Sequence, residues 1–260
     1  MHDRVKQLQD AMLTLPQADC PVKHLFMPGI YMREVTLPAG ATCVGHHQKY
    51  NHINILVKGR VTVLSADGSL TELKAPLTFI GHPGKKCGYV HEEVIWINVH
   101  NIDCTDVETI EDILYDKSEA PQYAKQIAGD GTDYNQLLIE LNTTDDQITQ
   151  EMVVAEPGML PMPYGIFKVK VSDSPIHGKG VFATSDIVAG EIIAPATQGG
   201  KRTPIARYTN HSDKPNAEMQ SANGDYFLVA LRDIKGCRGG MDGEELTTDY
   251  RNNRRLVCQE

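Results

Sequence analysis

Hydrophobic positions change their period along the chain, and each change predicts a different kind of element. Val5, Leu8, Met12 and Leu15 recur at helical spacing until Pro16 stops them, which predicts a short amphipathic helix. From Ile30 to His100 the pattern shortens to alternation. Tyr31 to Leu37, Ile53 to Val57 and Arg60 to Leu64 read as strands, divided by turn residues at Pro38–Gly40, Lys58–Gly59 and Ala66–Gly68. Short strands so closely spaced predict an antiparallel sandwich or barrel.

From residue 101 to 156 the texture becomes acidic and helical. Thr105 or Asp106 can cap a helix over Val107–Leu114, and Tyr134 to Leu141 reads as a second helix. Thr144, with Asp145, Asp146 and Gln147 behind it, caps a third over Ile148–Val154. Pro157 to Pro163 then breaks regular structure. Beyond it, Gly165 to Val171 alternates as a strand, Gly178-Lys179-Gly180 makes a tight turn, and Val188-Ala189-Gly190 precedes Glu191-Ile192-Ile193. Asn223-Gly224 joins Ala217–Ala222 to Asp225–Leu231 as a hairpin, because both central positions tolerate positive φ. The division expected is an N-terminal barrel with its helix over 1–104, a helical connector and Pro-rich linker over 105–163, and a C-terminal β-domain over 164–260.

Composition narrows the class. Lysine and arginine number 25 against 34 acidic residues, a net charge of -9, and the basic residues form only short groups such as Lys85-Lys86 and Arg254-Arg255. Neither a nucleic-acid face nor a membrane partner is expected. The acidic faces of the connector read as solvated. Six cysteines lie scattered with no C-x-x-C pair, so spacing shows neither a zinc knuckle nor a disulfide framework. Charged residues crowd the N-terminus and no apolar run nears about 18 residues, so a soluble cytoplasmic protein is expected.

Three segments carry chemistry. Ile176-His-Gly-Lys-Gly-Val-Phe-Ala183, Arg207-Tyr-Thr-Asn-His-Ser-Asp-Lys-Pro-Asn216 and Gly243-Glu-Glu-Leu-Thr-Thr-Asp-Tyr250 occur in that order, and together they resemble the SET domain of protein-lysine methyltransferases. The resemblance covers roughly 165 to 251. It implies small twisted sheets around a knot-like crossing, with S-adenosylmethionine as cofactor and a protein lysine as substrate. It assigns Gly178, Lys179, Gly180, Arg207, Asn210 and His211 to cofactor binding, Tyr250 to the methyl and the incoming nitrogen, and Tyr208 and Thr248 to the substrate channel. Taken singly, each has a structural reading: a G-x-G turn, a capped loop, a rim tyrosine. Arg207 and Asn216 can equally hold the crossing together.

A second resemblance lies in the alternating region. Gly40 is followed at the spacing of the first cupin motif by His46, Gln48, His52 and Gly59, with Gln48 and His52 replacing the motif's second His and its Glu. Pro83 to Trp96 falls where a second motif would. The fold implied is a cupin-like barrel. Its metal site would draw on His46, His52 and His91 or Glu92, although with half the ligands changed a divalent metal is not expected.

The chain also departs from the SET pattern. The stretch between Ile193 and Arg207 is shorter than the family's substrate-groove insert, and few residues follow Tyr250 to close the lysine passage. Thr248 stands where an aromatic commonly lines that passage, Asp213 where a Cys is frequent, and Lys235–Asp242 is a longer glycine-rich loop, either a lip over the site or a surface insertion. The fold class expected is therefore mainly β, a cupin-like antiparallel barrel, a helical connector and a SET-like fold. The leading activity is S-adenosylmethionine-dependent lysine N-methylation, with the barrel recruiting substrate or forming a homo-oligomer. Two other readings stand beside it: a structural or interaction protein that keeps both folds without chemistry, and a metal-dependent cupin enzyme using His46 and His52. The chain resembles small SET proteins of bacteria and their viruses, which adds host cytoplasm or virion as expected locations.

Overall fold

A computed structural model describes residues 2–64, 68–118, 132–148, 150, 158–239 and 241–257. The protein is mainly β and divides into two compact units. One comprises Met1–Ala124 with Tyr164–Ile166 and Cys237–Met241, the other Lys125–Pro163 with Phe167–Gly236 and Asp242–Glu260.

In the first unit, helix α1 (His2–Met12) precedes the strands β1 (Val22–Met27), β2 (Ile30–Leu37), β3 (Thr42–Val44), β4 (His47–Gln48), β5 (His52–Leu64), β6 (Leu70–Lys74), β7 (Leu77–Gly81) and β8 (Cys87–Asn101). Helix α2 (Val107–Leu114), β9 (Tyr115–Asp116) and β10 (Gly165–Phe167) follow. The main sheet runs β10-β1-β2-β8-β5-β6, with β3 also on β8 and β7 also on β5. Strand β8 organises it: its first residues pair with β3 and the end of β5, and its last pair with β2 and the start of β5. The sheet closes over a core of Leu56, Val61, Val63, Val90 and Val94, against which Leu37, Leu77 and Trp96 pack.

Lys58-Gly59, expected to end a strand, instead lies inside β5. Gly59 has φ +86°, where a side chain would be strained, and its Cβ would run into the Glu93 backbone. The register against β8 shifts between Leu56 and Val61, so the glycine forms a bulge that bends one long strand. Strand β1 was not expected. It buries Val22, His24 and Phe26 on one face against β2.

Of the two candidate caps for α2, Asp106 serves: its carboxylate accepts the Thr109 N–H at 3.0 Å. Helix α3 (Thr132–Glu140) ends where Asn142 turns left-handed at φ +48° and the Thr143 N–H reaches the Leu138 carbonyl at 3.0 Å. Thr144 then caps the next turn reciprocally. Its N–H donates to Gln147 Oε1 at 3.0 Å, and the Gln147 N–H to Thr144 Oγ1 at 3.2 Å. The helix expected over Ile148–Val154 and the turn at Ala66–Gly68 lie mostly outside the described residues.

The second unit holds β11 (Val169–Asp173), β12 (Lys179–Ala183), β13 (Ile192–Pro195), β14 (Thr197–Gln198), β15 (Lys201–Arg202), α4 (Pro204–Tyr208), β16 (Asn210–His211), β17 (Ala217–Ala222), β18 (Asp225–Ala230), β19 (Glu245–Thr248) and α5 (Tyr250–Val257). They make three small sheets, β11-β12-β19-β16, β13-β18-β17 and β14-β15. Gly165 to Val171 is not one strand: β10 and β11 belong to different sheets and part at Lys168, whose ammonium pairs with Glu191 at 2.7 Å. The β17–β18 hairpin forms as expected, with Asn223 and Gly224 at φ +55° and +79°. Strand β16 runs parallel to β19, pairing Asn210 with Thr247 and His211 with Thr248. Among the described residues no helix is long and apolar enough to cross a membrane.

Candidate functional site

The parallel pair β16–β19 brings two of the three sequence motifs side by side, and the third folds onto it. Thr203 begins α4, accepting the Ile205 N–H at 3.2 Å while its hydroxyl donates to the Pro195 carbonyl at 2.7 Å. The chain leaves α4 at Thr209 and enters β16 with Asn210 and His211 both buried. Asn216 fixes the crossing from the other side. Its amide donates to the Glu245 carbonyl at 2.8 Å and accepts the Thr247 N–H at 2.9 Å, as a strand neighbour would.

Asn210 Nδ2 faces four acceptors: Glu245 Oε1 at 2.7 Å, Ser174 Oγ at 3.1 Å, the Lys179 carbonyl at 3.2 Å and the His177 carbonyl at 3.3 Å. Carboxylate and carbonyls can only accept, so the nitrogen must lie on this side of the amide. Glu245 is fully buried, and Ser174 Oγ is 2.8 Å from each of its carboxylate oxygens. The amide thus latches the turn 174–179 to β19. Within the turn, Gly178 has φ +49° and no atom within 4 Å of where its Cβ would be. Gly180 is needed for a different reason: a Cβ there would collide with the Glu245 carboxylate and come within 3.0 Å of Ser174 Cβ. Glu245 was not among the candidates read from sequence, since a glutamate in Gly-Glu-Glu reads as a solvated charge.

Tyr250 opens α5, which Asp249 caps by accepting the Arg251 N–H at 2.9 Å. His211 Nδ1 lies 3.2 Å from the Tyr250 N–H and 3.3 Å from the Thr248 carbonyl, and the His211 and Tyr250 rings are 5.2 Å apart. The Tyr250 hydroxyl donates to the Thr209 carbonyl at 3.0 Å. Burial pushes this phenol up to about 12, against the opposing pull of the Arg207 guanidinium. Arg207 lies 5.1 Å over the Tyr208 ring, and its buried Nε has no hydrogen-bond partner. Thr248 is fully buried and its Oγ1 accepts from Asn253 Nδ2 at 2.9 Å. Lys179 contributes its carbonyl to the Asn210 latch.

Helix α3 adjoins this site. Arg251 Nε pairs with Glu140 at 2.6 Å, and one turn back Leu137 is fully buried. The Tyr134 hydroxyl donates to Asp145 at 2.8 Å. Burial, then Asp145, then the neighbouring Tyr250 phenol raise the Tyr134 pKa well above the usual tyrosine value.

The barrel histidines do not converge. His46 stacks on Tyr115 at 4.5 Å with planes 3° apart, while His52 stacks on His100 at 5.1 Å. His91 Nε2 lies 2.7 Å from Thr62 Oγ1 and follows Val90, which faces the core, so it stands on the opposite side of β8. Among the described residues, no three His, Cys, Asp or Glu side chains form a group able to hold a metal.

Residues 195–251 match the family model of the SET domain. No curated protein matches the chain. Solved structures similar to the N-terminal part are cupin-like. They include a cupin-2 domain containing protein from Shewanella frigidimarina (13% identity, 36% of this chain and 92% of that one, TM-score 0.27) and an RmlC-like cupin family protein from Methanocaldococcus jannaschii (16%, 32% and 81%, TM-score 0.29). Ectoine synthase from P. lautus is also similar (13%, 45% and 85%, TM-score 0.32).

Proposed function

Taking the SET-domain match over residues 195–251 as the premise, we propose that the chain is an S-adenosylmethionine-dependent protein-lysine methyltransferase. One observation carries the reading: the Asn210 amide and the Tyr250 hydroxyl are both held by hydrogen bonds to the protein's own groups. With Nδ2 engaged by the turn, Asn210 Oδ1 accepts nothing among the described residues and suits a ligand ammonium. Arg207, its Nε without a partner, suits a carboxylate. Gly178 keeps the turn free of side chain where a ligand would approach. An amino-acid moiety needs these groups, so the residues fit the cofactor. When bound, it supplies an electrophilic methyl on a sulfonium.

The chain's own residues then align and select. The Tyr250 proton is directed at the Thr209 carbonyl, which leaves the phenol oxygen's lone pairs to accept an N–H from a substrate amine. A phenol held neutral this way orients the amine and does not remove its proton. The amine must reach the site uncharged, against a reference pKa of about 10.4, and a buried approach favours that form. Thr248, held by Asn253, supplies no aromatic wall, and in this reading Tyr208 with Tyr134 of α3 takes that place. The barrel unit serves in recruitment or in pairing of subunits.

Transfer of tritium from labelled S-adenosylmethionine to lysine in a host-protein extract tests the reading. Lysine labelling that is lost in Asn210→Ala supports it. No labelling by the wild type, with cofactor binding intact, contradicts it.

A further inference from the structure

The inner face of the barrel is graded from apolar to polar along its strands. Val35, Trp96, Leu56 and Leu77 lie side by side across β2, β8, β5 and β7 at the packed end. One step on come Arg33, Asn98, Asn54 and Phe79, and a further step brings Tyr31, His100, His52 and Gly81. Asn54 Oδ1 accepts from Trp96 Nε1 at 2.9 Å and from Asn98 Nδ2 at 2.6 Å, which closes the apolar end with a satisfied network. The other end is not satisfied. His100 Nε2 is buried with no hydrogen-bond partner, and the buried Tyr115 hydroxyl, close to Gln48, makes no hydrogen bond of good geometry.

A cation lies near enough to act electrostatically on both orphans. Arg33 alternates with fully buried Tyr31 on β2 and so faces the interior. Among the described residues it makes no side-chain hydrogen bond and no ion pair. Tyr115, Tyr31 and then Glu111 of α2 are near enough to act on it electrostatically, and Glu111 is 3.8 Å from Lys117, whose ammonium sits closer to Asp112 at 2.7 Å. Arg33 is only partly buried and its guanidinium nitrogens are not among the buried unpaired atoms, so the cation keeps solvent contact that an anion can replace.

We propose that this end of the barrel binds a small carboxylate, held by the Arg33 guanidinium, the Nε2–H of neutral His100 and the Tyr115 hydroxyl. One fixed cation and two neutral donors suit a monoanion, and Glu111 nearby disfavours a doubly charged phosphate. The guanidinium fork matches a planar carboxylate, and the stacked rings of His100, His52 and Tyr31 give a flat wall beside it. This site lies wholly in the first unit and is independent of the methyltransferase reading.

Thermal unfolding of the full chain in sodium acetate and in pyruvate, against sodium chloride at equal ionic strength, tests it. Both carboxylates raise Tm saturably by several degrees over chloride. Arg33→Met, which removes an unpaired cation, keeps at least the wild-type Tm without ligand and loses the response. His100→Phe keeps the ring stack and weakens the response at least fivefold in midpoint concentration. No carboxylate shift beyond that of chloride overturns the proposal, as does a wild-type response in Arg33→Met or a lower ligand-free Tm in that variant. Should Arg33→Met fail to fold, its cation is structural and the proposal falls unless His100→Phe alone weakens the response.

Discussion

Asn210 and Glu245, on neighbouring parallel strands, hold each other through a 2.7 Å hydrogen bond that also fixes the turn 174–179. Two sequence motifs thereby shape a third. Glu245→Ala removes the shortest of the four contacts of the Asn210 amide and leaves the Ser174 hydroxyl without its buried acceptor, which costs about 1–3 kcal/mol. Denaturant unfolding should show that loss, and S-adenosylmethionine should bind at least tenfold more weakly. Glu245→Gln, which keeps the shape and one acceptor, should lose less on both counts. Equal stability of the alanine variant contradicts the latch.

Tyr250→Phe removes only the hydroxyl that bonds Thr209. Cofactor affinity should change less than twofold, stability should fall by about 1 kcal/mol, and turnover should fall at least a hundredfold. Measured binding and single-turnover rates separate these effects. A mutant that turns over like wild type removes Tyr250 from the chemistry.

Part of the fold is legible from sequence because its signals are local. A left-handed glycine, an Asn-Gly hairpin and a helix cap at Thr105 or Asp106 follow from backbone chemistry within a few residues, and the structure chooses Asp106. Glu245 is not legible, because its burial depends on Ser174 and Asn210 arriving from distant strands. Arg33 is hidden likewise: within an alternating strand a charged residue reads as outward until its register with Asn98 is known. The split at Lys168 is invisible to periodicity, since alternation does not say which sheet a strand joins.

Tyr134 and Glu140 belong to a helix before the SET-matching segment, yet Glu140 pairs with Arg251, the residue after Tyr250. If α3 walls the lysine passage, Tyr134→Ala should raise KM for the protein substrate about tenfold, through lost aromatic contact with the amine. Cofactor binding should stay within twofold. Steady-state kinetics with the cofactor saturating reads this directly, and an unchanged KM contradicts the wall.

His100 in the barrel responds to acid. Burial, then His52 and Arg33, lower its pKa from the model-peptide 6.5 to about 4. The unfolded chain therefore binds the proton more readily, so this residue costs no stability at neutral pH and destabilises progressively as pH falls from 6.5 to 4. The full effect is roughly 3 kcal/mol. Urea midpoints measured across that range should decline, and His100→Phe should flatten the decline. An equal slope in the variant assigns the sensitivity elsewhere.

A cofactor pocket built on the Asn210 latch should bind S-adenosylmethionine, and calorimetric titration of the cofactor into the purified chain measures this. The wild type should bind in the micromolar range, at about -8 kcal/mol, with no detectable binding by Asn210→Ala while that variant remains folded. Absence of binding by the wild type, or equal binding by Asn210→Ala, contradicts it.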